Sequence, residues 1–181
     1  MEEELEHSDG DLLKRLLGGD SEAAAILYDR HHRPLYAYVR SLLKDEALSE
    51  DVVHETFLRL LEARPGRPVA SVRSFLFAMA RNRTLDLIRR SAVQESAQPR
   101  IAARAAAPVP DDPALGQAAL AALGRLPLDQ RETVSLKVFG RLTFAQIADV
   151  LSIPTGTAAS RYRYALEKLA QELSVEGDDD A

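Results

Sequence analysis

The chain has 181 residues, a formal net charge of −5, 46% apolar residues, no tryptophan and no cysteine. The missing cysteine excludes a disulfide framework, thiolate metal sites and a cysteine nucleophile. No apolar run is long enough to span a bilayer, and the acidic start Met1-Glu-Glu-Glu lacks the basic-then-apolar order of a signal peptide, so a cytoplasmic protein without membrane insertion is expected.

Residues 1–8 read as a disordered acidic tail. Leu12, Leu13, Leu16 and Leu17 then form a short apolar stripe closed by Gly18-Gly19. Ser21 is placed to cap a second helix carrying Leu27, Leu35, Tyr38, Val39 and Leu42, and Pro34 is expected to kink or interrupt it. A third helix runs from about Leu48 to Ala63, and its acidic first turn suits the helix dipole. The Pro- and Gly-containing stretch 64–69 breaks the pattern, and a fourth helix runs from about Ser71 to Arg90. Residues 91–112 are dominated by Ala, Pro and small polar residues, and read as a flexible linker.

Beyond the linker, helices are expected over 114–124 and 129–139, separated by Leu126-Pro127 and ended by Gly140. Thr143 and Gln146 match a capping box opening a short helix to about Leu151. After the turn at 152–156 a longer helix reaches about Leu173, and 175–181 reads as an acidic tail. No alternating strand appears. The fold class is therefore all-α: two small helical domains, 9–90 and 113–174, joined by the linker 91–112. The second contains a helix-turn-helix.

Charge is sorted within the first domain. Residues 45–62 hold six acids and one base, and residues 73–90 hold five bases and one acid. Neighbouring helices of opposite sign suit two different partners, or pair with each other. In the second domain, a helix-turn-helix needs a small residue where its helices cross, which Ala148 supplies, and a left-handed residue in its turn. Ser152 stands at that turn position, at a cost of about 1 kcal/mol relative to glycine. Ala158 is the apolar residue that follows. Thr155, Thr157, Ser160, Arg161 and Arg163 lie at the start of the second helix, where short hydroxyls and guanidinium groups suit phosphates and major-groove edges. In the fourth helix, basic residues accompany Phe75, Phe77 and Asn82, a combination that suits exposed bases of a single strand. Core packing of the two phenylalanines is the competing reading.

Three segments in order carry a family resemblance. Asp51–Leu61 resembles the polymerase-binding helix of bacterial sigma factors. Ser74–Arg90 resembles the helix that melts and reads the minus-ten element. Leu126-Pro-Leu with Leu142–Leu169 resembles the domain that reads the minus-thirty-five element. The chain resembles the extracytoplasmic-function group of the sigma-70 family over about residues 20–173.

The resemblance implies that Asp51, His54, Glu55, Phe57, Leu58 and Leu61 dock on core RNA polymerase, with His54 where the family commonly has Gln. It implies that Ala63–Ser74, including Arg73 and Ser74, captures a flipped base together with Asn82. Arg81, Arg83, Arg89 and Arg90 would then hold the melted strand. It further implies duplex reading by Ser160, Arg161 and Arg163, with Arg141 on the backbone and Ala159 where the family often has Lys. It also implies an anti-sigma partner, a monomeric free protein, no cofactor and no catalytic activity. A stand-alone helix-turn-helix regulator is the alternative function; it leaves the charged helices of the first domain unassigned and normally dimerises. Glu50 and His54 share a helix face, but no third ligand converges in sequence, so no metal site is expected.

Overall fold

The computed structural model describes residues 7–62, 69–95 and 113–176, and these form eight helices and no strand. α1 (Asp9–Leu17) begins at Ser8, whose hydroxyl accepts the Asp11 N–H at 3.2 Å. The His7 carbonyl accepts from Arg30 at 2.7 Å. The two residues before α1 are therefore held, although the sequence assigned them to a tail. The rest of that tail, residues 1–6, lies outside the described residues, as do 63–68, 96–112 and 177–181.

α2 (Ser21–Leu43) is capped by Asp20 and not by Ser21. The Asp20 carboxylate accepts the Glu22 and Ala23 N–H groups at 3.0 and 3.3 Å. A carboxylate also complements the positive end of the helix dipole, which a hydroxyl does not. Pro34 does not interrupt α2. An interior proline removes one backbone hydrogen bond and costs about 3 kcal/mol. Here every residue from Leu35 to Leu42 is buried, and that packing outweighs the local penalty.

α3 (Glu46–Glu62) and α4 (Val72–Glu95) complete the first unit. α4 continues through residues 91–95, which composition alone had placed in the linker. Leu12, Leu27, Leu35, Tyr38, Leu60, Leu76 and Phe77 fill the core. The Tyr38 and Phe77 rings meet edge-on at 5.4 Å. Phe77 is buried and Phe75 is partly buried, as the core reading of these rings expects.

The second unit comprises α5 (Pro113–Arg125), α6 (Leu128–Val138), α7 (Phe144–Leu151) and α8 (Thr155–Glu176). The expected capping box forms, with Thr143 and Gln146 exchanging side-chain and backbone bonds. Ser152 takes the left-handed conformation, φ 56° and ψ 48°. The Ile153 N–H reaches back to the Ala148 carbonyl at 3.0 Å, closing the turn. Ala158 is fully buried at the helix crossing. At Gly140 a Cβ would sit 2.5 Å from the Leu136 carbonyl oxygen, so only glycine fits there.

The two units pack on each other. α6 is buried at five successive residues, Glu132 to Leu136, because α8 covers one side and α2 the other. α4 meets α7 across the same boundary. Leu136, Leu142, Ile147 and Val150 of the second unit join one continuous apolar core with Val39, Leu76 and Ala80 of the first.

Candidate functional surfaces

The regular spacing of α3 sorts its residues by side. Val52, Val53, Thr56 and Leu60 face the bundle. Asp51, His54, Leu58 and Leu61 recur at three- and four-residue intervals and are exposed, so they form one stripe along the outside. Leu58 and Leu61 are 47% and 51% exposed. A cleft of about 240 Å³ opens under the stripe, with Leu16, Ala24, Tyr28 and Phe57 among its lining residues. Phe57 is buried as part of that lining, and its ring lies 4.8 Å from Tyr28. Glu55 departs from the other five. It faces α4 and holds Arg59 and Arg83, each at 2.6 Å. The structure thus assembles Asp51, His54, Phe57, Leu58 and Leu61 into one apolar, partly acidic surface and turns Glu55 away.

The basic residues of α4 divide among three environments. Arg73 and Arg81 face the second unit. Arg73 Nη1 donates to the Gly140 carbonyl at 3.3 Å, and Arg81 Nε donates to Glu132 Oε1 at 2.7 Å. Arg83 is held against Glu55. Asn82, Arg89 and Arg90 are exposed, with Arg89 3.3 Å from Asp86 on its own helix. Ser74 belongs to the start of α4, where its N–H and hydroxyl both donate to Ser71 Oγ. These residues do not form one basic face in this arrangement, because α4 is packed among α1, α2, α3 and α7.

In α8 the N-terminal turn is open. Thr155 and Gly156 are exposed, Thr157 is half-buried, and the Ser160 hydroxyl donates to the Gly156 carbonyl at 2.9 Å. Arg163 projects outward beside Tyr164, with its guanidinium 4.9 Å from that ring. Arg161 is 3.3 Å from Asp129 of α6. Arg141 is exposed, and its φ of 49° marks the tight connection from α6 to α7.

The profile of sigma-70 region 2 matches residues 27–93, and that of sigma-70 region 4 matches residues 116–169. Over 176 residues the chain is 34% identical to the ECF RNA polymerase sigma factor SigL of Mycobacterium tuberculosis, covering 90% of this chain and 99% of that one. The chain is an extracytoplasmic-function sigma factor of the sigma-70 family.

Two solved structures extend the likeness to the fold of this sigma factor. CnrH, in complex with the cytosolic domain of CnrY, aligns with a TM-score of 0.71 at 25% identity, over 92% of this chain and 97% of CnrH. The sigma factor RpoE of Bartonella quintana, in complex with the anti-sigma factor NepR, aligns with a TM-score of 0.64 at 26% identity, over 78% and 90%. The sigma factor therefore belongs to a family of non-enzymatic initiation factors that direct RNA polymerase. No helix among the described residues is long and apolar enough to cross a membrane.

Sequence reasoning missed the residues that join the two units of this sigma factor. Ser41 Oγ lies 2.8 Å from Ser135 Oγ, with both residues buried. Glu132 is buried against Arg81. The Tyr38 hydroxyl is buried without a hydrogen-bond partner, and burial, reinforced by the charge of Glu132, pushes its phenol well above the ordinary range. The available signal was polar residues at buried spacing: Tyr38 and Ser41 on α2, Glu132 and Ser135 on α6, each pair three residues apart.

Proposed function

We propose that the α3 stripe docks the chain on core RNA polymerase and that its two units read a two-part promoter. The carrying observation is the outward stripe of His54, Leu58 and Leu61 over an apolar cleft. Two half-exposed leucines beside a cleft, flanked by the carboxylates of Asp51 and Glu62, suit an apolar partner with basic surroundings. Asp51 and His54 are the polar members of that contact, and Phe57 supports it from below.

The unit 9–90 handles the melted minus-ten element. Asn82 reads an exposed base with the stretch leading into Arg73 and Ser74, and Arg81, Arg83, Arg89 and Arg90 hold the strand. The chain beyond α4 connects it to the unit 113–174, which reads the duplex minus-thirty-five element. There the α8 N-terminus enters the major groove with Thr155, Thr157, Ser160, Arg161 and Arg163, and Arg141 touches the backbone. Coupling two modest sites through one chain makes promoter spacing a selection criterion. The protein acts in the cytoplasm, where it meets polymerase and promoter. An anti-sigma protein is its regulator, a reading supported by the anti-sigma complex of RpoE.

Site-directed photocrosslinking tests this division of labour. A crosslinker at position 82 is expected to label the non-template strand only in open complexes. One at position 160 is expected to label upstream duplex in closed and open complexes alike. Labelling of the same DNA segment from both positions, or of none, refutes the assignment.

A further inference from the structure

α8 carries two tyrosines two residues apart, and they face opposite ways. The Tyr162 ring meets Phe144 edge-on at 5.6 Å and packs on the core of the second unit. Tyr164 is 50% exposed, although a ring of this size contributes most when it is buried. It rests against Arg163, whose guanidinium lies 4.9 Å from the ring centre. Arg163 Nε is in turn 3.8 Å from Glu167 Oε1. A guanidinium on one face steadies an exposed ring and leaves its outer edge free.

Thr157, Ser160 and Tyr164 recur at three- and four-residue intervals, so the ring stands one turn beyond Ser160 on the same flank of α8. The Ser160 hydroxyl is committed to the Gly156 carbonyl at 2.9 Å. The large group that this flank offers a duplex is therefore the aromatic ring, which is apolar over most of its surface. Among the base edges of the major groove, the apolar feature is the 5-methyl group of thymine.

We propose that Tyr164 is a specificity-determining residue of the upstream duplex contact, with its ring packed on one thymine methyl. This inference rests on the groove-reading role given above for the start of α8. Cytosine at the same place has no methyl and sets its N4 amino group in the groove, where the ring edge cannot accept its hydrogen bond. The preference is therefore for thymine at one position. A tyrosine ring loses little side-chain freedom on making the contact, because two torsions fix it and Arg163 already limits them.

The test isolates the methyl group. Upstream duplexes are recovered by the holoenzyme from a randomised pool, and each thymine of the recovered motif is replaced in turn by deoxyuridine, which lacks only the methyl. With the wild-type protein, one replacement is expected to weaken binding by about fourfold, the worth of one methyl taken out of water. Tyr164→Ala is expected to bind the thymine and deoxyuridine duplexes equally, and Tyr164→Phe to keep the difference. Circular dichroism of both variants is expected to match the wild type, because the position is exposed.

A motif whose thymines all tolerate deoxyuridine would overturn the inference and leave groove reading by α8 standing. So would a sensitive thymine that stays sensitive in Tyr164→Ala. Loss of the difference in Tyr164→Phe would overturn the role of the ring in favour of the hydroxyl. A pool that yields no upstream motif would refute the groove-reading role itself, and this inference with it.

Discussion

Truncating Leu58 and Leu61 to alanine separates docking from folding, because both side chains are about half exposed in the free chain. Each change removes three carbon centres, worth about 0.8 kcal/mol apiece when taken fully out of water. Only the exposed half remains to be buried on docking, which gives about 1.2 kcal/mol for each residue. The two together weaken polymerase binding by about 2.4 kcal/mol, or roughly fiftyfold in Kd. The assay is fluorescence anisotropy of labelled protein titrated with core polymerase, for the wild type, the single variants and the double variant. Urea unfolding of the same proteins controls for stability and is expected to change much less than the binding energy. A double variant that stays folded and binds within threefold of wild type would show that polymerase does not cover this stripe.

Three further outcomes follow from other parts of the molecule. Ser152→Gly relieves a left-handed serine and is expected to stabilise the chain by about 1 kcal/mol. If the shared core makes the whole chain melt together, the midpoint rises by about 2–4 °C, and a lower midpoint would contradict the turn reading. His31 is buried and its Nε2–H donates to Asp9 at 2.8 Å; burial lowers the imidazole pKa, and Asp9 offsets this only in part. The unfolded chain therefore takes up the proton first, so stability is full above about pH 6.5 and is lost as pH falls toward the lower folded value. Urea melts between pH 7.5 and 5 are expected to show a shallower loss in His31→Gln, and an equal slope would exclude His31 as the source. Arg163→Ala is expected to weaken holoenzyme binding to an upstream duplex by about 1–3 kcal/mol and to relax sequence preference at one position, whereas an even loss across sequences would move it from base reading to phosphate contact.

Features governed by local chemistry were legible in the sequence. The Thr143–Gln146 capping box, the left-handed Ser152 and the buried Ala148 and Ala158 each follow from neighbours within a few residues. The α3 positions Asp51, His54, Leu58 and Leu61 came from the family resemblance, and the structure sets them at helical spacing along one exposed side. Pro34 was misleading because its local cost is overridden by eight successive buried residues, a property of the packed bundle. Asp20 and Ser21 are both good cap residues, and the structure selects Asp20, whose backbone is extended and whose carboxylate complements the helix dipole. The direction taken by each arginine of α4 was not legible. Basic residues on one helix look equivalent in sequence, yet Arg81 and Arg83, two residues apart, pair with acids from different units. Those partnerships, like Ser41 with Ser135, span 51 to 94 residues or cross between helices, beyond the reach of periodicity.

The central claim is that this protein converts core polymerase into a promoter-specific enzyme. The most direct test adds the purified protein to native core polymerase with a genomic promoter library and sequences the transcripts. Transcripts that start downstream of one shared two-part motif, and that vanish with the Leu58→Ala, Leu61→Ala double variant, are the predicted result. Transcription indistinguishable from core polymerase alone, with folded protein bound to that polymerase, would contradict it.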